Sequence, residues 1–457
     1  MMPADRTTDP ADGSGRTDPN RRTGATRRAE PARRAEPTGR TEPTRGTGPT
    51  RRTGPARRTG PTGGTGPARR TGVWLIGARG SVATTVIAGC AALTAGLHRP
   101  TGMVTESAPF TDPPVPALPA LSALVFGGHD TLSCPLPKRA EELAAGGVLP
   151  YGLPQAVHAE LTAADAAIRP GGPQPGDTRT DAELIGAFAA DLRAFGRDHD
   201  LDRTVVINVA STEPVPVAGT EPAPAAGTEP APAAPHDDRL PASSLYAYAA
   251  LRAGCPYLNF TPSTGLHHPL LQEMARVSGL PYAGRDGKTG QTLLRSVLAP
   301  MFAQRALAVR AWSGTNLLGG GDGAALADPG AAAAKNAGKA RVLADTLGEL
   351  PAGDVHIDNV PALGDWKTAW DHIAFDGFLG SRMTLQTTWQ GCDSALAAPL
   401  VLDLARLLAA AHTVGLSGPQ PAIGFYFKDP DGGPAALADQ YTALVEYAGI
   451  LRTGTPS

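Results

Sequence analysis

From residue 71 onward, the alternation of apolar and polar positions divides the chain into runs that read in turn as strand, turn and helix. The apolar run GVWLIG (Gly72–Gly77) is followed at once by A-R-G-S-V-A-T-T and an Ala-rich helical segment to about Gly96. A second strand, LSALVFGGHD, ends at Asp130. Residues 181–199 have the spacing of an amphipathic helix, and RTVVINVASTEP (203–214) reads as a buried strand with a polar exit. Helix resumes from Ser243 to Ala253, and CPYLNFTPST (255–264) gives another strand with Asn259, Thr261 and Ser263 at its end. Strands and helices alternating in this way predict an α/β fold with a parallel doubly wound sheet, whose ligands lie beyond the carboxyl ends of the strands. From PYAGRDGKTGQTLLRSVLAPMF a second region opens. Asp286, Lys288 and Thr289 precede a long helix, which puts Gly290, Gln291 and Thr292 at an N-terminus suited to anions. Strand-like HIDNVPAL and MTLQTTWQ follow, then the helical CDSALAAPLVLDLARLLAAA, where a helix cap is the plain reading of Asp393.

Composition changes this picture mainly at the N-terminus. Residues 1–70 repeat R-R-T-G-P and R-R-A-E-P and carry 16 arginines against 7 acids, so +9 there and −11 in the remainder make the net −2. So few large apolar residues cannot offset the entropy of ordering, and a disordered tail is expected. No aromatic residues are interleaved to stack bases, which argues against a nucleic-acid arm. Because the folded pattern begins only near Gly72, a start codon placed too far upstream is an alternative reading of the tail. The Pro/Ala/Thr/Glu repeat at 217–235 is expected to be an insertion in a surface loop. No run of apolar residues has the length of a membrane span. Four scattered cysteines without a C-x-x-C pair, and an N-terminus lacking the apolar core of a secretory signal, lead to the expectation of a cytoplasmic protein.

Candidate chemistry gathers on lysines in glycine- and aromatic-rich surroundings. Lys335 and Lys339 stand four apart after the glycine-rich NLLGGGDG, which on a helix sets them on one face about 5–6 Å apart. An anionic substrate or a developing oxyanion would compensate their repulsion. Lys367 lies in GDWKTAWDHI and Lys428 follows the apolar IGFYF, where a lone charge is expensive to bury. The glycine turn after the first strand is irregular against G-x-G-x-x-G: Gly77 and Gly80 are present and Arg79 occupies the middle position. It reads either as a pyrophosphate cradle or as a tight turn without a ligand. The histidines show no metal-binding spacing, and no metal site is expected.

Taken together, LIGARGSVATT, FGGHD, NVASTEP, AGRDGKTGQT, NLLGGGDG, KNAGK, GDWKTAWD, DSALAAPL and FKDP resemble, in the same order, the motifs of the inositol-3-phosphate synthase (myo-inositol-1-phosphate synthase) family, over about residues 72–430. The resemblance implies a Rossmann-type NAD-binding domain at 71–290, with an inserted α+β catalytic and oligomerisation domain at 291–418 and a C-terminal segment at 419–457 returning to the first. The implied activity is the NAD-dependent isomerisation of D-glucose 6-phosphate to 1D-myo-inositol 3-phosphate, by oxidation at C5, enolisation, aldol closure and reduction. Lys335, Lys339, Lys367, Lys428, Asp286 and Asp393 match the family's catalytic positions. Lys335 is assigned to proton transfer, Lys428 and Lys367 to the C5 and C1 oxygens, and Lys339 to phosphate or an oxyanion. Gly77, Arg79, Gly80 and Ser81 would face the pyrophosphate, Asp130 the adenosine ribose and Thr212 the middle of the cofactor, with Asp286 and Asp393 near the nicotinamide. Thr289, Gly290, Gln291, Asn316 and Asp322 match substrate-side positions. The family's assembly implies a homotetramer. Two departures stand out: Gly320 where the family loop carries asparagine, and Arg79 at a cofactor-loop glycine.

Overall fold

The computed structural model describes residues 69–174, 176–213, 239–320, 343–344 and 346–454. Strands β1 (Thr71–Ile76), β2 (Leu124–Asp130), β3 (Ile168–Pro170), β4 (Arg203–Asn208), β5 (Tyr257–Asn259) and β6 (Pro281–Gly284) form one parallel sheet, and a short β11 (Gly418–Pro419) joins it at the edge. The order is β11-β6-β5-β4-β1-β2-β3, the doubly wound arrangement of a Rossmann-type fold. β1 is central because every residue of TGVWLI is buried. Its side chains alternate between two cores. Val73 and Leu75 pack with α1 (Ser81–Thr94) on one face, and Trp74 and Ile76 with α3 (Asp181–Asp198) and α4 (Ala242–Ala253) on the other. The chain moves from β1 to β2 on one side and later to β4 on the other. The crevice between those connections is where such sheets bind ligands.

After β6 the chain enters α5 (Gly290–Gln304) and a second sheet of β7 (Ala308–Leu318), β8 (Val355–Asn359), β9 (Trp366–Asp376) and β10 (Arg382–Cys392). The order is β10-β9-β7-β8, antiparallel except for the β7–β8 pair. One face buries Trp312 and Ile373 against Ala299 and Phe302 of α5. The other leaves Trp366 42% and Trp370 38% exposed. The chain then returns through α6 (Asp393–Thr413), whose residues 401–411 are all buried in the same core as α1 and α7 (Leu437–Thr453). Among the described residues α6 is the one helix with the length and apolarity of a membrane span. The two charged residues of its buried stretch have partners inside the protein. Asp403 accepts from Val104 N and Tyr426 Oη (2.6 and 3.1 Å), and Arg406 pairs with Glu106 at 2.6 Å.

Candidate active site

A cleft of about 790 Å³ opens at the carboxyl ends of β1, β2, β4 and β5 and is closed on the far side by the start of β9 and of α6. Its first wall is the glycine turn. Gly77 has φ +84°, and a Cβ there would lie 2.7 Å from Ala210 Cα, so only glycine fits. The amides of Gly77 and Ala78 both donate to the His129 carbonyl, which pins the turn onto β2. α1 begins at Ser81 after Gly80, with no side chain capping its first N–H groups, and those groups are suited to an anion. Beside them, Arg139 from α2 (Leu136–Ala145) donates to Ser81 Oγ at 2.7 Å, and Ser81 Oγ donates to Asp365 at 2.5 Å. The sequence reading missed Arg139 and Asp365, since neither stands near the glycine turn in the chain.

Asp130 ends β2 at the cleft wall, 8% exposed, and accepts from the amides of Arg79 (2.6 Å) and Leu132 (2.7 Å). Two backbone donors fix the orientation of its carboxylate. Arg79 sits differently from the expectation that it faces a pyrophosphate. Its Nε pairs with Asp165 at 3.0 Å and its Nη1 donates to the Leu132 carbonyl at 3.1 Å, so the guanidinium is turned toward the loop after β2. The guanidinium bonded to the first residue of α1 is that of Arg139. Thr212 lines the cleft after β4. Beside it Glu213 accepts from the Ser243 amide at 2.6 Å, and burial pushes its carboxyl above the usual range.

The far end of the cleft holds two lysine–aspartate pairs. Lys428 Nζ lies 2.8 Å from Asp286, with side chains 7% and 9% exposed. Asp286 has φ +62°, an uncommon conformation for a residue other than glycine, held by its amide donating to Thr261 O and its carbonyl accepting from Lys428 N. The same backbone bond thus brings the two side chains together. Lys367, inward-facing on β9, lies 2.8 Å from Asp393 at the first position of α6. Thr289 Oγ1 is 3.4 Å from the other Asp393 oxygen. Asp393 is therefore not the cap expected of it: the N-cap is Cys392, and the Asp393 carboxylate instead ties the second sheet to the loop before α5. Gly290 and Gln291 open α5, and Thr289, Gln291 and Thr292 line the cleft. The neighbouring Lys288 points away from the cleft. Its Nζ lies 2.5 Å from Gln440 Oε1 on α7, and burial pushes its ammonium down to about 8.

Asn316, expected to touch substrate, is fully buried and donates to Gln291 Oε1 at 2.9 Å, so it acts on a neighbour of the cleft. Its place on the inward face of β7 accounts for this. Gly320 has φ +61°, and a Cβ there would come 3.1 Å from the Gly364 carbonyl. Lys335, Lys339 and Asp322 lie outside the described residues. Among the described residues no cluster of His, Cys, Asp and Glu could hold a metal ion. A dinucleotide fits the donor set: a glycine position that a Cβ would fill, an uncapped helix N-terminus, an arginine beside it and a carboxylate at the end of β2.

Residues 71–447 match the family model for myo-inositol-1-phosphate synthase. An inositol-3-phosphate synthase of Bacteroides thetaiotaomicron is 33% identical over 396 residues, covering 79% of this chain and 89% of its own. The Bos taurus enzyme of that name is 29% identical over 351 residues, covering 68% of this chain and 61% of its own. Among solved structures, inositol-3-phosphate synthase of Caenorhabditis elegans superposes with a TM-score of 0.71 at 22% identity, over 85% of this chain and 87% of its own. A myo-inositol-1-phosphate synthase-related protein of Thermotoga maritima gives 0.65 at 22% identity, over 83% and 99%. At that identity the last two speak for the fold alone.

Proposed function

Because the chain belongs to the myo-inositol-1-phosphate synthase family, we propose that its cleft converts D-glucose 6-phosphate into 1D-myo-inositol 3-phosphate with NAD as bound cofactor. Gly77, Gly80, Ser81, Arg139, Asp130 and Thr212 would hold the dinucleotide. When bound, NAD accepts a hydride from the sugar and later returns it, so the reaction has no net redox change. The protein's own task is to place charge where a ketone and its enolate develop negative oxygen. Lys428 and Lys367 do this. Each ammonium is fixed 2.8 Å from a carboxylate in a mostly buried site, so neither must reorganise as the oxyanion forms. Asp286 and Asp393 orient those ammonium groups. The first backbone N–H groups of α5, at Gly290, Gln291 and Thr292, have no side-chain cap and would hold the phosphate. Lys335 is proposed to move the proton and Lys339 to hold the phosphate or an oxyanion, on their motif positions alone.

The observation that carries this reading is the convergence of two lysine–aspartate pairs on one cleft at the ends of a dinucleotide-type sheet. Its test is purified protein with NAD and glucose 6-phosphate, followed by phosphorus NMR and by absorbance at the NADH band. Inositol phosphate without accumulating NADH is expected. Bound NAD with no inositol phosphate would sink this substrate. A second reading, another sugar phosphate, is favoured by Gly320, which offers no amide side chain where the family loop carries asparagine. A panel of hexose and pentose phosphates separates the two.

We also infer a homotetramer through the second sheet, supported by Trp370 and the other side chains left open on its outward face. A cytoplasmic location is supported by four cysteines that are all free thiols.

A further inference from the structure

The first turn of α5 is tied to the second sheet by one carboxylate. Asp371, on the inward face of β9 and 2% exposed, accepts from Gln291 Nε2 through one oxygen at 2.8 Å. Through the other oxygen it accepts from Arg295 Nη2 and Trp312 Nε1, both at 2.8 Å. Gln291 and Arg295 are one helical turn apart, so the carboxylate grips a single face of α5. The far end of the Gln291 amide is also engaged, its Oε1 accepting from Asn316 Nδ2 at 2.9 Å. Gly314 on β7 leaves the room for this, since a Cβ there would lie 2.9 Å from Gln291 Nε2 and 3.1 Å from Asp371 Oδ1.

The row of side chains has one polarity, set by its charged end. An ionised Asp371 only accepts, so Gln291 turns its NH2 group to it and its carbonyl to Asn316. Asn316 then donates, and its own Oδ1 is left buried without a partner among the described residues. The geometry points to Asp371 as a positioning residue for the phosphate of the substrate. It fixes the rotation of α5 about its axis, and with it the direction of the backbone N–H groups at Gly290, Gln291 and Thr292. The inference rests on the proposed sugar-phosphate reading of the cleft and adds a residue that touches neither substrate nor cofactor.

The test uses the full chain loaded with NAD, with steady-state turnover of glucose 6-phosphate, calorimetric titration of the same sugar phosphate, and thermal melting. Asp371→Asn removes the charge that sets the polarity of the row and leaves buried Arg295 without its carboxylate, and KM is expected to rise about tenfold or more, with kcat within about threefold and NAD affinity unchanged. The double variant Gln291→Glu with Asp371→Asn rebuilds the same bond with donor and acceptor exchanged and the net charge restored. Its KM is expected to fall at least about threefold below that of Gln291→Glu alone, which carries the same carboxylate at 291. Should Asp371→Asn not fold, Gln291→Glu alone sets two carboxylates against each other and is expected to raise KM in the same direction, again relieved in the double variant. An unchanged KM in a folded single variant, a loss confined to kcat, or a double variant that melts higher than Gln291→Glu but keeps its KM would each overturn the inference. A parent that neither binds nor converts glucose 6-phosphate overturns the functional reading, and this inference with it.

Discussion

The Asp286–Lys428 pair separates charge placement from cofactor binding. Removing one member of a buried pair strands the other, at a cost of ~3–5 kcal/mol. Losing a donor aimed at a developing oxyanion costs about 2.7–4 kcal/mol in the barrier, or 10²–10³ in rate. Lys428→Met is therefore expected to lower kcat by at least ~100-fold and to lower the melting temperature, with NAD affinity in fluorescence titration unchanged. Adding Asp286→Asn should recover the melting temperature and none of the turnover. A double variant that regains turnover would show that Lys428 acts only as a structural partner. His129 makes a second residue-scale prediction. It is 1% exposed, accepts from Trp74 Nε1 through Nδ1 at 3.0 Å and meets Asp191 through Nε2 at 3.0 Å. Burial holds its pKa below 6.5. With the folded value depressed, the unfolded chain takes up the proton first, so this contribution is whole above about 6.5 and is lost as pH falls below it. Asp403 works in the opposite sense, burial having raised it to about 6, so the comparison must be with a variant and not across pH alone. Melting curves should fall more steeply from pH 7 to 5 in the parent than in His129→Gln, and parallel curves would refute this.

Among the elements, the glycine turn was the most legible and makes the firmest prediction. Gly77→Ala forces a Cβ onto Ala210 at φ +84°, a double penalty expected to weaken NAD binding at least ~10-fold while the protein stays folded. Affinity within twofold of the parent would show that the turn does not approach the cofactor. The parallel sheet was legible for the same reason: its strands are short apolar runs with polar exits, and the periodicity changes at each helix. Arg139 was not legible, because nothing near position 139 in the chain marks it as a neighbour of Ser81. The burial of Asn316 was not legible, because a motif gives a residue's position along β7 but not the face it takes. Asp371 was passed over as one acid in GDWKTAWD. Its partners lie 80, 76 and 59 residues away, and only folding brings them to one carboxylate.

At the scale of the whole molecule, the outward face of the second sheet is where assembly would be read. Trp370→Lys is expected to shift sedimentation from a tetramer to smaller species, and a parent that sediments as a monomer would refute the tetramer outright. Removing residues 1–68, which hold almost no large apolar side chains, is expected to leave kcat/KM within about twofold. The pairing of Asp286 with Lys428 has a further consequence, in time rather than space. These two residues are 142 apart, with α5, the second sheet and α6 between them, and β11 must reach β6 before they meet. Closing so long a loop carries a large entropy cost, which slows the folding step that forms it. During synthesis, the glycine turn, Asp130 and Thr212 are all outside the ribosome long before Lys428 has been added. At that stage the core that α1 shares with α6 and α7 is still incomplete, so the cleft becomes whole only when the C-terminal helix has been made.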